Sequence, residues 1–590
     1  MCGILGGTRN TWDFEGALNA LRHRGPDSQK IKKFKNFTLA FARLAIIDLR
    51  PLADQPMSSE DDQIHIVFNG EIYGFKRLRE ELILKGYRFL THSDTEVLLK
   101  AYLCWGDNFV EHVDGMFAIA LLDQRSQKIK LFRDRPGIKP LYYLFNGTDF
   151  AFASELKGIK TLCQDHYFKY DNTALYDYLT YKYIPDPKSL YKDVYKLPPA
   201  HQLTYDILKH AIIKNAPFWR LNIPPTLEPI PIQAASNNLR KLIKESVADQ
   251  MVADVPVGFF LSGGMDSSVV VAESSLVSSN LNTFTIGFDD PDYTETTHAQ
   301  IVADHFKTNH FSRILTYSDN DTLLNKLREW YDEPFADTSA MPTYLVSAFA
   351  REKVTVALTG DGGDEILGGY NSYFRYRAIT RLVKFGLLNH SSFMRFFANL
   401  KKYFIVKSFP YKFFNFLSHL CPDDLLRYSK VLGMMDPCEK KIYAQKLTIP
   451  KDYDDLWFLR QYDNLSLPAL TRLQFIDFHT YLPCDVLTKT DRVSMAVSLE
   501  ARVPLLSKNI IEFAFSVPEK TRYYNNSLKG LLKAAYSNIL PKDILTRPKK
   551  GFSVPLNYLG FNYKMPHEKI LKKVFDIDIL SNQFRERLLG

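Results

Sequence analysis

Along the first 205 residues, apolar and polar positions alternate in short runs: FTLAFARLAIID, QIHIVFNGEIY, GMFAIALLD, KIKLFRD, KPLYYLF and DFAFASE. A period of two, with turn residues between the runs, predicts antiparallel strands stacked as layers. Asn-Gly pairs at Asn69 and Asn146 fit that pattern. One segment departs from it: in SDTEVLLKAYLCWG, Ser93 and Glu96 have the spacing of a capping box ahead of an apolar helix face. Prolines then crowd between 206 and 235 (Pro217, Pro224, Pro225, Pro229, Pro231), as expected of a linker.

Beyond the linker the pattern changes. Amphipathic runs such as SNNLRKLIKESVADQMV alternate with short, wholly apolar runs, VPVGFF, TFTIGF and VTVAL, each bounded by glycine or a turn. Apolar runs between helices are what parallel strands buried on both faces look like. The expected architecture is therefore an α+β layered antiparallel sandwich over 2–205, followed over 236–590 by an α/β parallel-sheet domain with helical additions. From about 372 to 470 the chain is helix-like and rich in aromatics and lysine, as in FMRFFANLKKYFIVKSFPYKFFNFL, which reads as helix-packing core.

Composition changes this picture little. A chain of 590 residues is too long for one core. With 46% hydrophobic residues, 42 Phe and 33 Tyr, it points to large cores or aromatic-lined interfaces more than to disorder. A net charge of +9 reads as a solubility feature, so no nucleic-acid partner is expected. The six cysteines are dispersed with no CxxC pair, which indicates neither a zinc site nor a disulfide framework and fits a reducing cytoplasm. No basic leader with an apolar stretch opens the chain, and no later run reaches 18 uncharged apolar residues, so neither export nor stable membrane insertion is expected.

Candidate chemistry begins at MCGILGG. Removal of Met1 would leave Cys2 with a thiol of pKa about 8.5 and a free amine of pKa about 8, a nucleophile carrying its own base. Around it stand RHRGPD (22–27), RLAIID (43–48), NGEIY (69–73), SDTE (93–96) and GMFAIA (115–120). In these motifs the first part of the chain resembles the class II glutamine amidotransferases, the N-terminal-nucleophile (Ntn) glutaminases. The resemblance implies that Cys2 attacks the glutamine side-chain amide and releases ammonia from a thioester. It further implies that Arg43 pairs with the substrate α-carboxylate, Asp94 holds the α-ammonium, Asn69 and Gly70 form the oxyanion hole, and Glu71 helps bind glutamine. Each residue also has a plainer reading: Asn69-Gly70 as a hairpin turn, Asp94 as a helix start, Arg22-His23-Arg24 as an exposed basic loop. Gly74 stands where the family commonly has Asn, which predicts changed loop packing.

A second constellation lies in VPVGFFLSGGMDSSVVVAESSLV (255–277), which reads as strand, glycine turn and helix. Ser262, Gly263, Gly264, Asp266, Ser267 and Ser268 fall at the turn and helix start, where unpaired N–H groups and the helix dipole favour phosphate. Neither a Walker A motif nor GxGxxG is present, which removes the main support for kinase and dehydrogenase readings. LTGDGGDEILGGY (358–370) puts Asp361, Asp364 and Glu365 on a glycine-rich turn, carboxylates suited to Mg²⁺ beside a triphosphate, or else simply an exposed turn.

SGGMDS resembles the PP-loop of ATP pyrophosphatases. With CDVLTKTDRVSMAVSLEARVPLL (484–506) and RPKKGFSVP (547–555), the chain resembles the asparagine synthetase family from Cys2 to about Pro555. The resemblance implies ATP as substrate, gripped by Leu261 and the Ser262–Ser267 loop together with Thr359 and Gly360, with Ile286 and Gly287 against adenine. It also implies Mg²⁺ on Asp266 and Asp364, and Asp361 orienting the acceptor. Lys489 and Arg492 are the cations expected beside the transition state, or else partners for Glu500 or Asp491. Ser507 replaces a usual aspartate, which predicts looser local packing or a looser acceptor pocket.

The implied reaction joins aspartate, glutamine and ATP through an acyl-AMP, with ammonia crossing a water-poor passage that GMFAIALLD is a candidate to line. Relatives of this architecture amidate sugar acids or peptide carboxylates, so another carboxylate acceptor is the alternative. Outside enzymes, the lysine- and aromatic-rich 372–420 stretch would suit a catalytically idle protein that binds a membrane surface or nucleic acid. A homodimer is an expected assembly that no sequence element specifies.

Overall fold

The computed structural model describes residues 2–384 apart from 165, 167, 225–226, 291–293 and 316–322, then 419–549 apart from 422, 436, 438–439 and 442–443, and residues 551 and 577. Much of the lysine- and aromatic-rich stretch, and RPKKGFSVP past Gly551, lie outside the described residues.

The N-terminal strands are β1 (Gly3–Gly7), β2 (Ser28–Lys33), β3 (Thr38–Arg43), β4 (Met57–Ser58), β5 (Ile64–Tyr73), β6 (Asp114–Asp123), β7 (Lys128–Arg133), β8 (Tyr142–Phe145), β9 (Phe150–Ala153), β10 (Val194–Lys196), β11 (His201–Asp206) and β12 (Ala211–Pro217). They form two antiparallel six-stranded sheets, ordered β10-β8-β9-β1-β3-β2 and β12-β11-β7-β6-β5-β4. Alternation decides which face each side chain takes. Ile4, Phe41, Val67, Ala118, Leu131 and Phe152 fill the space between the sheets. Their neighbours turn outward to helices: Leu5 and Ala42 meet Leu18 and Ile159, while Phe68, Phe117 and Ile119 meet Leu82 and Leu99. GMFAIALLD is β6, and its side chains are divided between these cores. The layered antiparallel sandwich expected from the sequence is thus the observed fold.

The C-terminal sheet is parallel throughout: β13 (Val257–Phe260), β14 (Asn282–Phe288), β15 (Asn309–Leu315), β16 (Val356–Leu358) and β17 (Glu500–Arg502), ordered β15-β14-β13-β16-β17. The three apolar runs VPVGFF, TFTIGF and VTVAL supply β13, β14 and β16, and helices such as Ile232–Gln250, Met265–Ser274 and Ala340–Arg351 cover them. No helix among the described residues is long and apolar enough to cross a membrane.

Three local expectations change, and Gly74 keeps its place in the backbone. Asn69-Gly70 lies inside β5 rather than at a turn, while Asn146 does turn the chain, its Oδ1 accepting from Thr148 N and Asp149 N at 3.1 and 2.9 Å. Ser93 caps the helix Asp94–Trp105 by accepting from Thr95 N, but Glu96 does not close a capping box: it accepts instead from Leu90 N and Thr91 N. The proline-rich stretch begins as strand β12, paired with β11, because Pro217 sits at a strand end where no ladder donor is lost. Gly74 adopts φ +64°, a region that Gly and Asn both reach, so the backbone keeps a residue suited to it.

Candidate active sites

Cys2 enters β1 almost fully buried, 8% exposed, and β5 carries Asn69, Gly70 and Glu71 beside it. Asn69 Oδ1 accepts the Cys2 N–H at 2.9 Å. With its oxygen so committed, the amide leaves Nδ2 as a buried donor with no hydrogen-bond partner. Such a donor costs about 1–3 kcal/mol, a cost that an arriving oxyanion would offset. Gly70 is required by close approach: a Cβ there would lie 1.9 Å from Met116 O on β6. Cys2 Sγ lies 3.8 Å from Leu44 O, and burial pushes the thiol up.

Cys2, Arg43, Gly70, Glu71, Asp94 and Glu500 line one pocket. Glu500, contributed by β17 of the C-terminal sheet, was not anticipated there. Arg43 is braced at 2.6 Å by Asp54 Oδ1 and at 2.6 Å by Asp48 O, which fixes its fork at the pocket wall. Asp94 opens its helix and accepts Ile72 N at 3.1 Å; burial pushes its carboxyl up to about 6. Burial, reinforced by Asp94, pushes the Glu71 carboxyl up as well, while Arg502 opposes this from 3.0 Å.

In the parallel sheet, β13 ends into the turn Leu261–Gly264 and the helix Met265–Ser274. Ser262 Oγ accepts Gly264 N at 3.2 Å and meets Ser267 Oγ at 3.2 Å, holding the turn open over the first helical N–H groups. Leu261 is anchored below by its N–H on Phe284 O at 2.9 Å. β16 delivers Thr359, Gly360 and Asp361 against this turn; a Cβ on Gly360 would lie 2.7 Å from Ser267 N. Ile286 is buried on neighbouring β14, and Gly287 follows it. Thr359 N donates to Arg502 O at 2.8 Å, and Asp361 Oδ2 accepts from Thr359 Oγ1 and Thr490 Oγ1 at 3.0 and 2.9 Å.

Asp266 and Asp364 face each other across Lys529, which pairs with both, and Lys549 also pairs with Asp364. The two lysines hold Asp364 well below the usual carboxylate range against its burial, whereas burial leaves Asp266 raised. Asp266 Oδ1 is buried without a hydrogen-bond partner. No group of three or more His, Cys, Asp or Glu gathers as a metal cage among the described residues. Two carboxylates, one with an open oxygen, fit Mg²⁺, which binds through one or two carboxylates plus substrate phosphates. Arg547 adds a cation beneath the loop, donating to Gly263 O at 3.0 Å and to Glu295 at 2.5 Å. Lys529, Lys549 and Arg547 had no assigned role in the sequence reading; only the quoted RPKK hinted at two of them.

A π-helical turn, Leu482–Leu487, leads into the helix Thr488–Met495, which lies between the two sites. Lys489 Nζ reaches Ser339 Oγ at 2.9 Å and Asp337 at 3.5 Å, with Asp361 and Asp485 in electrostatic reach. Arg492 does not join it. It turns to the N-terminal half, where Glu155 lies at 2.9 Å and Tyr142 Oη at 3.2 Å. Positions three apart share a helix face, so it is the partners each side chain reaches that separate the two cations: with its guanidinium held by Glu155 and Tyr142, Arg492 is corrected from a transition-state cation to an interface residue. Asp491 on the same helix accepts Arg24 Nη1 at 2.9 Å and Lys139 Nζ at 3.3 Å, and Arg24 Nε donates to Cys2 O at 3.2 Å. Arg24 is therefore no exposed loop residue; it is wholly buried, unlike Arg22.

Comparison with known families gives a match to the asparagine synthase model over residues 238–578 and to a glutamine amidotransferase domain over residues 1–219. The chain is 32% identical over 575 residues to glutamine-hydrolysing asparagine synthetase 1 of Bacillus subtilis (strain 168), covering 95% of this chain and 88% of that one. A putative asparagine synthetase 2 of Methanocaldococcus jannaschii is 40% identical over 417 residues, 65% of this chain and 79% of that one. Amidase chry2 of Gibberella zeae is 26% identical over 606 residues, 92% of this chain and 85% of that one. With one model spanning more than half of its length and a relative above 30% identity matched along nearly all of it, the chain belongs to the asparagine synthase family.

Proposed function

We propose that the protein is a glutamine-dependent asparagine synthetase: glutamine, aspartate and ATP in, asparagine, glutamate, AMP and pyrophosphate out. With Met1 removed, the amine of Cys2 takes the thiol proton and sulfur attacks the glutamine amide. Asn69 Nδ2 and the Gly70 N–H meet the oxyanion, and ammonia leaves as the thioester forms. Arg43 and Asp94 hold the amino-acid end. Water then releases glutamate.

In the second site an acceptor carboxylate oxygen attacks the α-phosphorus and pyrophosphate departs into the Ser262–Ser267 turn, beside Lys529 and Lys549. Mg²⁺ held by Asp266 and Asp364 would neutralise phosphate charge there. Ammonia displaces AMP from the acyl carbon and loses a proton. Lys489 beside Asp361 is the cation assigned to the acceptor end. Asparagine needs this division, because a carboxylate oxygen is not a leaving group and ammonia in bulk water at neutral pH is mostly ammonium.

The observation that carries this reading is the helix Thr488–Met495, whose Lys489 faces the Asp361 loop while Asp491 reaches Cys2 through Arg24. The decisive experiment incubates the purified protein with glutamine, ATP and a panel of carboxylates. Aspartate is expected to yield asparagine with AMP and pyrophosphate, and Cys2→Ala is expected to keep that synthesis with ammonia alone. Silence with aspartate, but turnover with another carboxylate, would move the acceptor toward the chemistry of amidase-named relatives. Release of ADP and phosphate would overturn the adenylation step. We further infer that the enzyme works in the cytoplasm, and as a homodimer; sedimentation velocity tests the assembly.

A further inference from the structure

Arg502 ends β17 and is wholly buried, with its guanidinium and its main chain serving different places. Nε donates to Glu500 Oε1 at 2.7 Å, Nη1 to Gln250 O and Val252 O at 2.7 Å each, and Nη2 to Glu71 Oε2 at 3.0 Å. Its carbonyl oxygen accepts Thr359 N at 2.8 Å, at the start of the loop that carries Gly360 and Asp361. The planar fork has its directions fixed by the carbonyl that ends the helix Ile232–Gln250, the Val252 carbonyl just beyond it and one carboxylate, so the bond to Glu71 is aimed by the C-terminal half. Glu71 in turn lines the pocket with Cys2.

We propose that Arg502 is a positioning residue of glutamine hydrolysis, acting from the synthetase sheet by fixing the Glu71 carboxylate at the wall of the glutamine pocket. This rests on the function proposed above. The glutamine pocket is then completed only when the C-terminal sheet is docked, and the same residue registers the ATP loop through its main chain. The two duties are separable, because a side-chain substitution leaves the carbonyl bond to Thr359 in place.

Steady-state kinetics of Arg502→Met and Arg502→Lys, each alone and with Glu71→Gln, test the assignment. Arg502→Met is expected to raise KM for glutamine about tenfold or more, with ammonia-dependent asparagine synthesis changed less than about threefold. Arg502→Lys should fall between wild type and Met, since an ammonium keeps the charge but loses the fork. In the Glu71→Gln background, Arg502→Met should add little further to KM. Wild-type KM in either folded variant, equal losses of the glutamine and ammonia reactions in Arg502→Lys, or full additivity with Glu71→Gln would each overturn the proposal. If Arg502→Met does not fold, the Lys variant and its cycle decide it. Failure of the wild-type protein to release glutamate from glutamine would instead overturn the proposed function, and this inference with it.

Discussion

At the scale of single residues, the sharpest feature is an amide whose two ends do different work. Asn69 Oδ1 holds the Cys2 N–H while Nδ2 is left buried and unpartnered. Asn69→Asp keeps the acceptor and removes the donor. Glutamine-dependent kcat should fall about 10²–10³-fold, roughly 3 kcal/mol of transition-state stabilisation, with ammonia-dependent synthesis unchanged; both rates are read from pyrophosphate release. Asp94 sets a pH limit on the same pocket. Its carboxyl, pushed up to about 6 by burial, must be ionised to hold an ammonium group. Because kcat/KM reports the free enzyme, kcat/KM for glutamine should fall as pH drops through about 6, whereas an exposed aspartate would hold the plateau to about 4. A plateau extending to pH 5 would remove Asp94 from substrate binding.

At the scale of elements, periodicity and turn chemistry made both halves legible: alternation gave the antiparallel layers, and apolar runs between helices gave β13, β14 and β16. The PP-loop was readable because strand, glycine turn and helix are contiguous in sequence. What escaped were residues that come from far along the chain. Lys529 and Lys549 stand more than 160 residues beyond Asp364, and although Lys549 lies in RPKKGFSVP, nothing in the sequence ties either lysine to that carboxylate; only the fold brings them to the phosphate turn. Asn69-Gly70 misled for the opposite reason: a dipeptide that makes good turns sits in mid-strand, where a neighbouring backbone excludes any Cβ. Arg492 and Lys489 could not be told apart by charge or by helix position, since residues three apart share a face and only partners brought by the fold, Glu155 for one and Ser339 for the other, separate them. Lys529→Ala and Lys549→Ala should each cut pyrophosphate release with aspartate and ammonia by at least about tenfold, a charge-assisted bond's worth. Glutaminase activity, followed as glutamate, should persist in both.

At the scale of the whole molecule, the two halves meet through buried charge. Arg24, Glu155, Asp491 and Arg492 have side chains no more than 2% exposed, and the contacts Arg24–Glu155, Arg24–Asp491 and Arg492–Glu155 span 2.7–2.9 Å. Ser498 Oγ adds a bond to His23 O at 2.6 Å. Burial opposes ionisation of both Arg24 and Asp491, yet each holds the other charged. An apolar seam would join two domains as firmly; a network of oriented charges also fixes their register, which is what the ammonia transfer proposed above would demand. Asp491→Ala would leave Arg24 and Lys139 facing each other in a dry interface, costing about 3–5 kcal/mol and loosening the tie from Arg24 to Cys2 O. The expected result is a lower thermal midpoint and more glutamate formed per pyrophosphate, because ammonia escapes between sites that no longer register. Salt separates this account from a surface one. Raising ionic strength from about 0.1 to 1 M shortens the screening length from about 10 to 3 Å, which weakens exposed pairs but cannot enter a buried network. The wild-type ratio of glutamate to pyrophosphate should therefore hold through that range; a ratio that climbs with salt would mean the halves are joined by their exposed charges instead.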